Sequence, residues 1–262
     1  MSDTTHSDGP PTVVLVHGAF ADASSWNSVL ERLQERGVPV IAPANPLRGL
    51  SIDSAYIAGV LEQTPGPIIA VGHSYGGAVI SNAARHAKNV VGLVFVAAFA
   101  PEEGERLGEV TATSKDAILG TALAPRQYPV DGGEPAGEFA IDPAKFHDAF
   151  AADLPEEQSA IIAATQRPVA ELAFSEAAGA PAWKHLPSWA VIATGDKAAG
   201  TDVTRSMAER AGATITDVDA SHVVMISQPE AVTDVIFQAI AVTASPGDAS
   251  WAEAFFEAYL TE

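Results

Sequence analysis

The chain has no cysteine. Disulfides, thiolate zinc sites and a cysteine nucleophile are therefore excluded together. Positive charge is also scarce: 14 Lys and Arg against 33 Asp and Glu leave a net charge of −19 over 262 residues. A chain of that charge repels nucleic acid and anionic membrane, and neither is expected as a partner. No apolar run approaches the length of a bilayer span, so no membrane insertion is expected. Residues 1–11 lack both a basic start and an apolar stretch, and read as a loose polar tail rather than a secretory signal. These absences together point to a cytoplasmic protein.

What is present is globular in character: 47% of residues are apolar and 18% charged. Short β-branched runs alternate with helical patterns, which signals an α/β fold with a mostly parallel central sheet flanked by helices. Strands are expected at 12–16, 38–42, 68–71, 90–99, 189–194 and 213–218. Helices are expected at 24–36, 53–63, 75–87, 201–211 and 229–242. The rhythm stops between 101 and 187. Pro and Gly breaks, helical pieces opening at Pro155 and Pro168, and scattered aromatics suggest a helical lid inserted over the strand ends. The core then comprises 12–100 and 188–243. A terminal helix over 251–261, with Trp251, Ala254, Phe255, Ala258 and Tyr259 on one face, docks either on its own domain or on a second subunit. Monomer and homodimer both remain open.

Gly72-His73-Ser74-Tyr75-Gly76 follows the buried-type run Ile68-Ile69-Ala70-Val71 and precedes a helical pattern. In that setting G-x-S-x-G is a sharp strand-to-helix turn that lifts the serine hydroxyl to its apex. Ser74 is the candidate nucleophile. A serine needs a base, and of seven histidines only His17 and His222 follow strands at the rim where such sheets build their sites. His222 has the chain order Ser, acid, His used by this architecture. The acid that orients it is read as Asp196, after the strand before last. Glu102 and Glu103, after the strand ending at Phe99, are its rivals. Backbone amides of Ala19, with Phe20 as second choice, and of Tyr75 would hold the oxyanion. Phe20, His17, Phe99, Phe174 and Trp183 are the candidate substrate-binding residues.

With these residues in place the chain resembles an α/β-hydrolase, and more narrowly the plant methylesterase and hydroxynitrile lyase group with its bacterial esterase relatives. The matching segments are Val14–Ala19 with Trp26, Gly72–Gly77, Val94–Pro101, and Ser221-His222 through Pro229. The resemblance implies Ser74 as nucleophile, Asp196 as acid, His222 as base, and oxyanion amides at Ala19 and Tyr75. The lyases of that group carry Thr after the first-strand His and Lys after the base; here these positions are Gly18 and Val223. A cofactor-free hydrolase of small or aromatic carboxylic esters is therefore expected, with a small-molecule ester as partner. Lyase, C–C hydrolase or amidase chemistry on the same residues, or a ligand-binding receptor with little turnover, are the alternatives.

Overall fold

A computed structural model describes residues 9–244. The expected helix over 251–261 and most of the tail over 1–11 lie outside the described residues.

Strand β1 (Thr12–Val16) leads through a 3-10 turn (Ala23–Trp26) into helix α1 (Asn27–Glu35). Asp22 caps that turn by accepting from the Ser24 amide at 2.7 Å. Strand β2 (Val40–Ile41) is shorter than its apolar run suggests, because it sits at the sheet edge with only β1 to pair. Helix α2 (Leu50–Gln63) precedes strand β3 (Ile68–His73), and helix α3 (Tyr75–Ala83) precedes strand β4 (Val90–Val96).

Residues 101–187 hold four short helices and three strands. These are α4 (Leu107–Thr111), β5 (Leu123–Tyr128), β6 (Ala136–Ile141), α5 (Pro143–Phe150), α6 (Glu156–Thr165), β7 (Val169–Ala170) and α7 (Leu172–Ser175). The expectation of a helical lid is corrected here: beside its helices, β5, β6 and β7 form an antiparallel sheet of their own. Pro168 precedes β7 rather than opening a helix. The main sheet then resumes with β8 (Ser188–Ala193), α8 (Thr201–Arg210), β9 (Thr214–Val218), α9 (Val224–Ser227) and α10 (Pro229–Thr243).

The main sheet has six strands in the order β2-β1-β3-β4-β8-β9, and every neighbouring pair is parallel. Both α3 and α10 lie across β3 and β4. Strand β3 is buried at all six positions, as a strand covered on both faces must be. Its near-continuous apolar run is the sequence expression of that burial. The inserted segment is tied to the core by backbone as well as side chains. Ala170 N donates to Leu47 O at 2.9 Å, and the Arg48 guanidinium reaches Glu138 on β6 at 2.8 Å while covering the Tyr128 ring. Among the described residues, no helix is long and apolar enough to cross a membrane.

Candidate active site

Ser74 stands between β3 and α3 with φ +53° and ψ −122°, a conformation that L-residues rarely adopt. Such a backbone costs about 1–3 kcal/mol and persists only where its surroundings hold it. Here they do: the Ser74 amide donates to Val96 O, and its carbonyl accepts from Gly77 N and Phe99 N at 3.0 and 3.1 Å. The turn also demands glycine where β1 crosses it. A Cβ at position 76 would run into the Val16 carbonyl, and one at 18 would stand 2.7 Å from Ser74 Cβ. The motif spacing is thus a packing requirement of the β1–β3 contact.

Tyr75 opens α3, so its amide has no helical acceptor to reach. Its phenol donates to Asp53 Oδ2 at 2.7 Å, and the Arg48 amide donates to Asp53 Oδ1 at 3.0 Å. Burial raises the Asp53 pKa, and burial together with that carboxylate pushes the Tyr75 phenol well above its ordinary range. Asp53 is completely buried and anchors the first turn of the elbow helix. The sequence reading missed it, since an acid in the first turn of a helix resembles an ordinary dipole partner.

His222 and Asp196 meet in the interior, 1% and 0% exposed. His222 Nδ1 lies 2.9 Å from Asp196 Oδ2. The other carboxylate oxygen, Oδ1, accepts from the amides of Ala198 and Ala199 at 2.8 and 3.0 Å. Every strong acceptor of this buried anion is therefore engaged, as burial requires. Because a carboxylate only accepts, Nδ1 carries a proton, which in the neutral ring puts the lone pair on Nε2. The rival acids lie elsewhere. Glu102 pairs with Lys184 at 2.6 Å near the surface, and Glu103 is exposed.

His17 is buried but does not line the cavity described below, a correction to its reading as a substrate-binding residue. Its Nδ1–H donates to Gly18 O at 2.9 Å and its Nε2 accepts from the Asn45 amide at 2.9 Å. Asn45 Nδ2 donates in turn to the His17 carbonyl. The ring fixes the start of the β1 loop, and burial lowers its pKa to about 4. The unfolded chain therefore binds a proton here between pH 6.5 and about 4 that the native fold excludes. Stability is unaffected above pH 6.5 and falls as the pH drops toward 4, by up to about 3 kcal/mol. His73, pushed well down by burial, acts in the same direction, while the raised Asp53 opposes it at the acid end. Urea unfolding at pH 7, 5.5 and 4.5 should show this decline, and His17→Gln should flatten it. An equal slope in the variant would remove His17 from the account.

His73 supports the base from below. Its Nε2–H donates to the His222 carbonyl at 2.9 Å, and the two rings lie 4.6 Å apart.

Ser74 and His222 both face a cavity of about 380 Å³ between the sheet ends and the inserted segment. A hydrogen bond between a nucleophile and its base often tightens only when substrate is present. Ala19, Phe20, Phe99 and Phe174 line the cavity, joined by Phe139 and Phe150. Phe20, with φ +61°, stacks on Phe174 and meets Phe150 edge-on. Trp183 is absent from the wall, a second correction. Its indole N–H donates to Pro101 O at 3.3 Å, and the Lys184 ammonium covers its ring. Among the described residues no charged side chain lines the cavity; Thr111, Ser114 and Thr121 are its polar residues beyond Ser74 and His222.

Lipase LipV of Mycobacterium tuberculosis is 34% identical over 122 residues, covering 42% of this chain and 44% of that protein. The chain thus matches less than half the length of that curated relative. A pyrethroid hydrolase from Sphingobium faniae JZ-2 superposes with a TM-score of 0.72 at 20% identity, over 91% of this chain and 99% of the other. Polyneuridine aldehyde esterase gives 0.73 at 19% identity, over 87% and 98%. Tomato methylketone synthase I, complexed with 2-tridecanone, gives 0.72 at 20%, over 90% and 99%. At such identities these three share the fold. A model of the alpha/beta hydrolase family matches residues 13–235, from the first core strand to the last core helix, and the chain belongs to that family.

Proposed function

We propose that this hydrolase cleaves small or aromatic, uncharged carboxylic esters through an acyl-enzyme on Ser74, without a cofactor. The observation that carries the reading is the buried Asp196–His222 hydrogen bond, which leaves the His222 Nε2 lone pair available at the cavity that also holds Ser74. His222 takes the Ser74 proton as Oγ attacks the ester carbonyl. The tetrahedral oxyanion rests on the amides of Tyr75 and Ala19, aided by the positive end of α3. Collapse expels the alkoxide, which takes the proton from His222. Water then adds to the acyl-enzyme by the same steps, releasing the acid and restoring Ser74.

The fold neighbours bear hydrolase, esterase and synthase names, so the fold alone does not choose the reaction. Two local features favour ester hydrolysis. The uncharged wall offers nothing to pair a substrate charge, and burying an unpaired carboxylate is costly. Position 18, where the lyases that the sequence resembles carry Thr, has no room for a side chain beside Ser74 Cβ.

A matched ester pair tests the reading. An uncharged aryl ester should show a burst of one leaving group per active site. Its kcat/KM should exceed that of an ester with an anionic acyl group by at least about 100-fold. An organophosphonate should label Ser74. No burst and no label on Ser74 would reject the acyl-enzyme, and equal turnover of the charged ester would reject the substrate class.

A further inference from the structure

The base is held from three directions, and one of them is the inserted segment. Asp196 grips the His222 ring, and His73 grips its carbonyl, both from the core. The third grip falls on Ser221, the preceding residue, which is buried. Its hydroxyl donates a short hydrogen bond to Asp153 Oδ1, in the turn between α5 and α6. It also lies 3.5 Å from the Phe150 carbonyl at the end of α5. The Phe150 ring packs edge-on against the His222 ring, with centroids 4.9 Å apart.

The turn that presents Asp153 is itself fixed. Ala151 N donates to His147 O and Leu154 N to Ala151 O, both at 3.1 Å, and the His147 ring donates to Leu154 O at 3.0 Å. Asp153 therefore sits on a braced turn rather than a free loop, although its own surface is exposed. Burial raises its pKa, and the Ser221 hydroxyl, the Ser227 hydroxyl and the amides of Ser221 and Asp153 together outweigh that and lower it, so the carboxylate is ionised at neutral pH.

We propose that Asp153 is a positioning residue for the base: through Ser221 it fixes the loop that carries His222, so the inserted segment holds the base as well as covering the cavity. The inference rests on the reading of His222 as base. Its physical logic is that proton transfer requires His222 Nε2 within hydrogen-bond reach of Ser74 Oγ, and small displacements of a catalytic group are expensive. A segment that moves away takes Asp153 and Phe150 with it, and the base loses one support just as the cavity opens to water.

The test compares Asp153→Ala, Asp153→Asn, Ser221→Ala and the Asp153→Ala/Ser221→Ala double variant on the uncharged aryl ester, with active sites titrated by organophosphonate. Both alanine variants should lose about 10- to 100-fold in kcat per titrated site, with KM within about 2-fold of the parent. The double variant should lose clearly less than the product of the two single losses, since both singles break the same Ser221–Asp153 bond. Asp153→Asn keeps an acceptor oxygen and should recover most of the rate. An unchanged kcat per titrated site in Asp153→Ala or Ser221→Ala, a loss carried by KM, or additive losses in the double variant would each overturn the proposal. If the alanine variant of Asp153 fails to fold, Asp153→Asn and Ser221→Ala decide: a parental kcat in Ser221→Ala overturns it. Failure of the parent protein to label at Ser74 would overturn the catalytic reading itself, which separates the two.

Discussion

Replacing Ser74 with alanine should lower kcat on an uncharged aryl ester by about four to six orders of magnitude, with the melting temperature nearly unchanged. The kinetic loss follows because Ser74 is the hydroxyl that the strand-to-helix turn presents to the cavity; the others among the described lining residues, Thr111, Ser114 and Thr121, belong to the inserted segment. The thermal result follows because alanine keeps the Cβ. The strained backbone at φ +53° is stabilised by the amide and carbonyl of residue 74, bonded to Val96, Gly77 and Phe99, rather than by its hydroxyl. A residual rate above the uncatalysed reaction is expected from the oxyanion amides and binding alone. Turnover within tenfold of the parent, measured on active-site-titrated protein, would displace Ser74 as nucleophile.

Asp196→Asn should cost about 10⁴-fold in kcat, because it changes the tautomer rather than the packing. The Ala198 and Ala199 amides already fix which side-chain oxygen faces them, so the asparagine Oδ1 takes that place. Its NH₂ then faces His222 Nδ1 and donates to it. The imidazole must move its proton to Nε2, and the lone pair that should receive the Ser74 proton disappears. The charge that stabilises the imidazolium disappears with it. Glu102→Gln breaks only a surface pair with Lys184 and should leave kcat within about twofold. Steady-state rates of both variants at pH 8 decide the point: a crippled Glu102→Gln with a healthy Asp196→Asn would reassign the acid.

The elbow was readable from residues because its constraints are local. A nearly continuous apolar strand, two glycines and a helical pattern lie next to one another in the chain, and burial of β3 at every position explains the run. The same holds for His222 and Asp196, which follow the strands that end at the rim. The lid sheet was not readable. Strand β5 carries Pro125, Arg126 and Gln127 with little burial, so no alternation marks it; pairing with β6 across a turn makes it a strand. His17 and His222 looked alike as rim histidines. What separates them is the Asn45 amide, delivered from the β2 side and invisible to spacing. Trp183 was misplaced for a related reason, since a lid aromatic can turn toward the core edge as readily as toward the cavity. Asp153 had no local signal at all, because its partner is Ser221, far along the chain.

The order of the central strands also bears on how the molecule assembles in time. Strands β1, β3 and β4 join through modest crossovers, whereas β8 lies beside β4 only after residues 97–187 have looped out and returned. Loop entropy is lost before that pairing gives anything back, so association of the two halves is a slow event in refolding. Ser74 lies in the half that precedes this long connection, and Asp196 and His222 lie in the half that follows it.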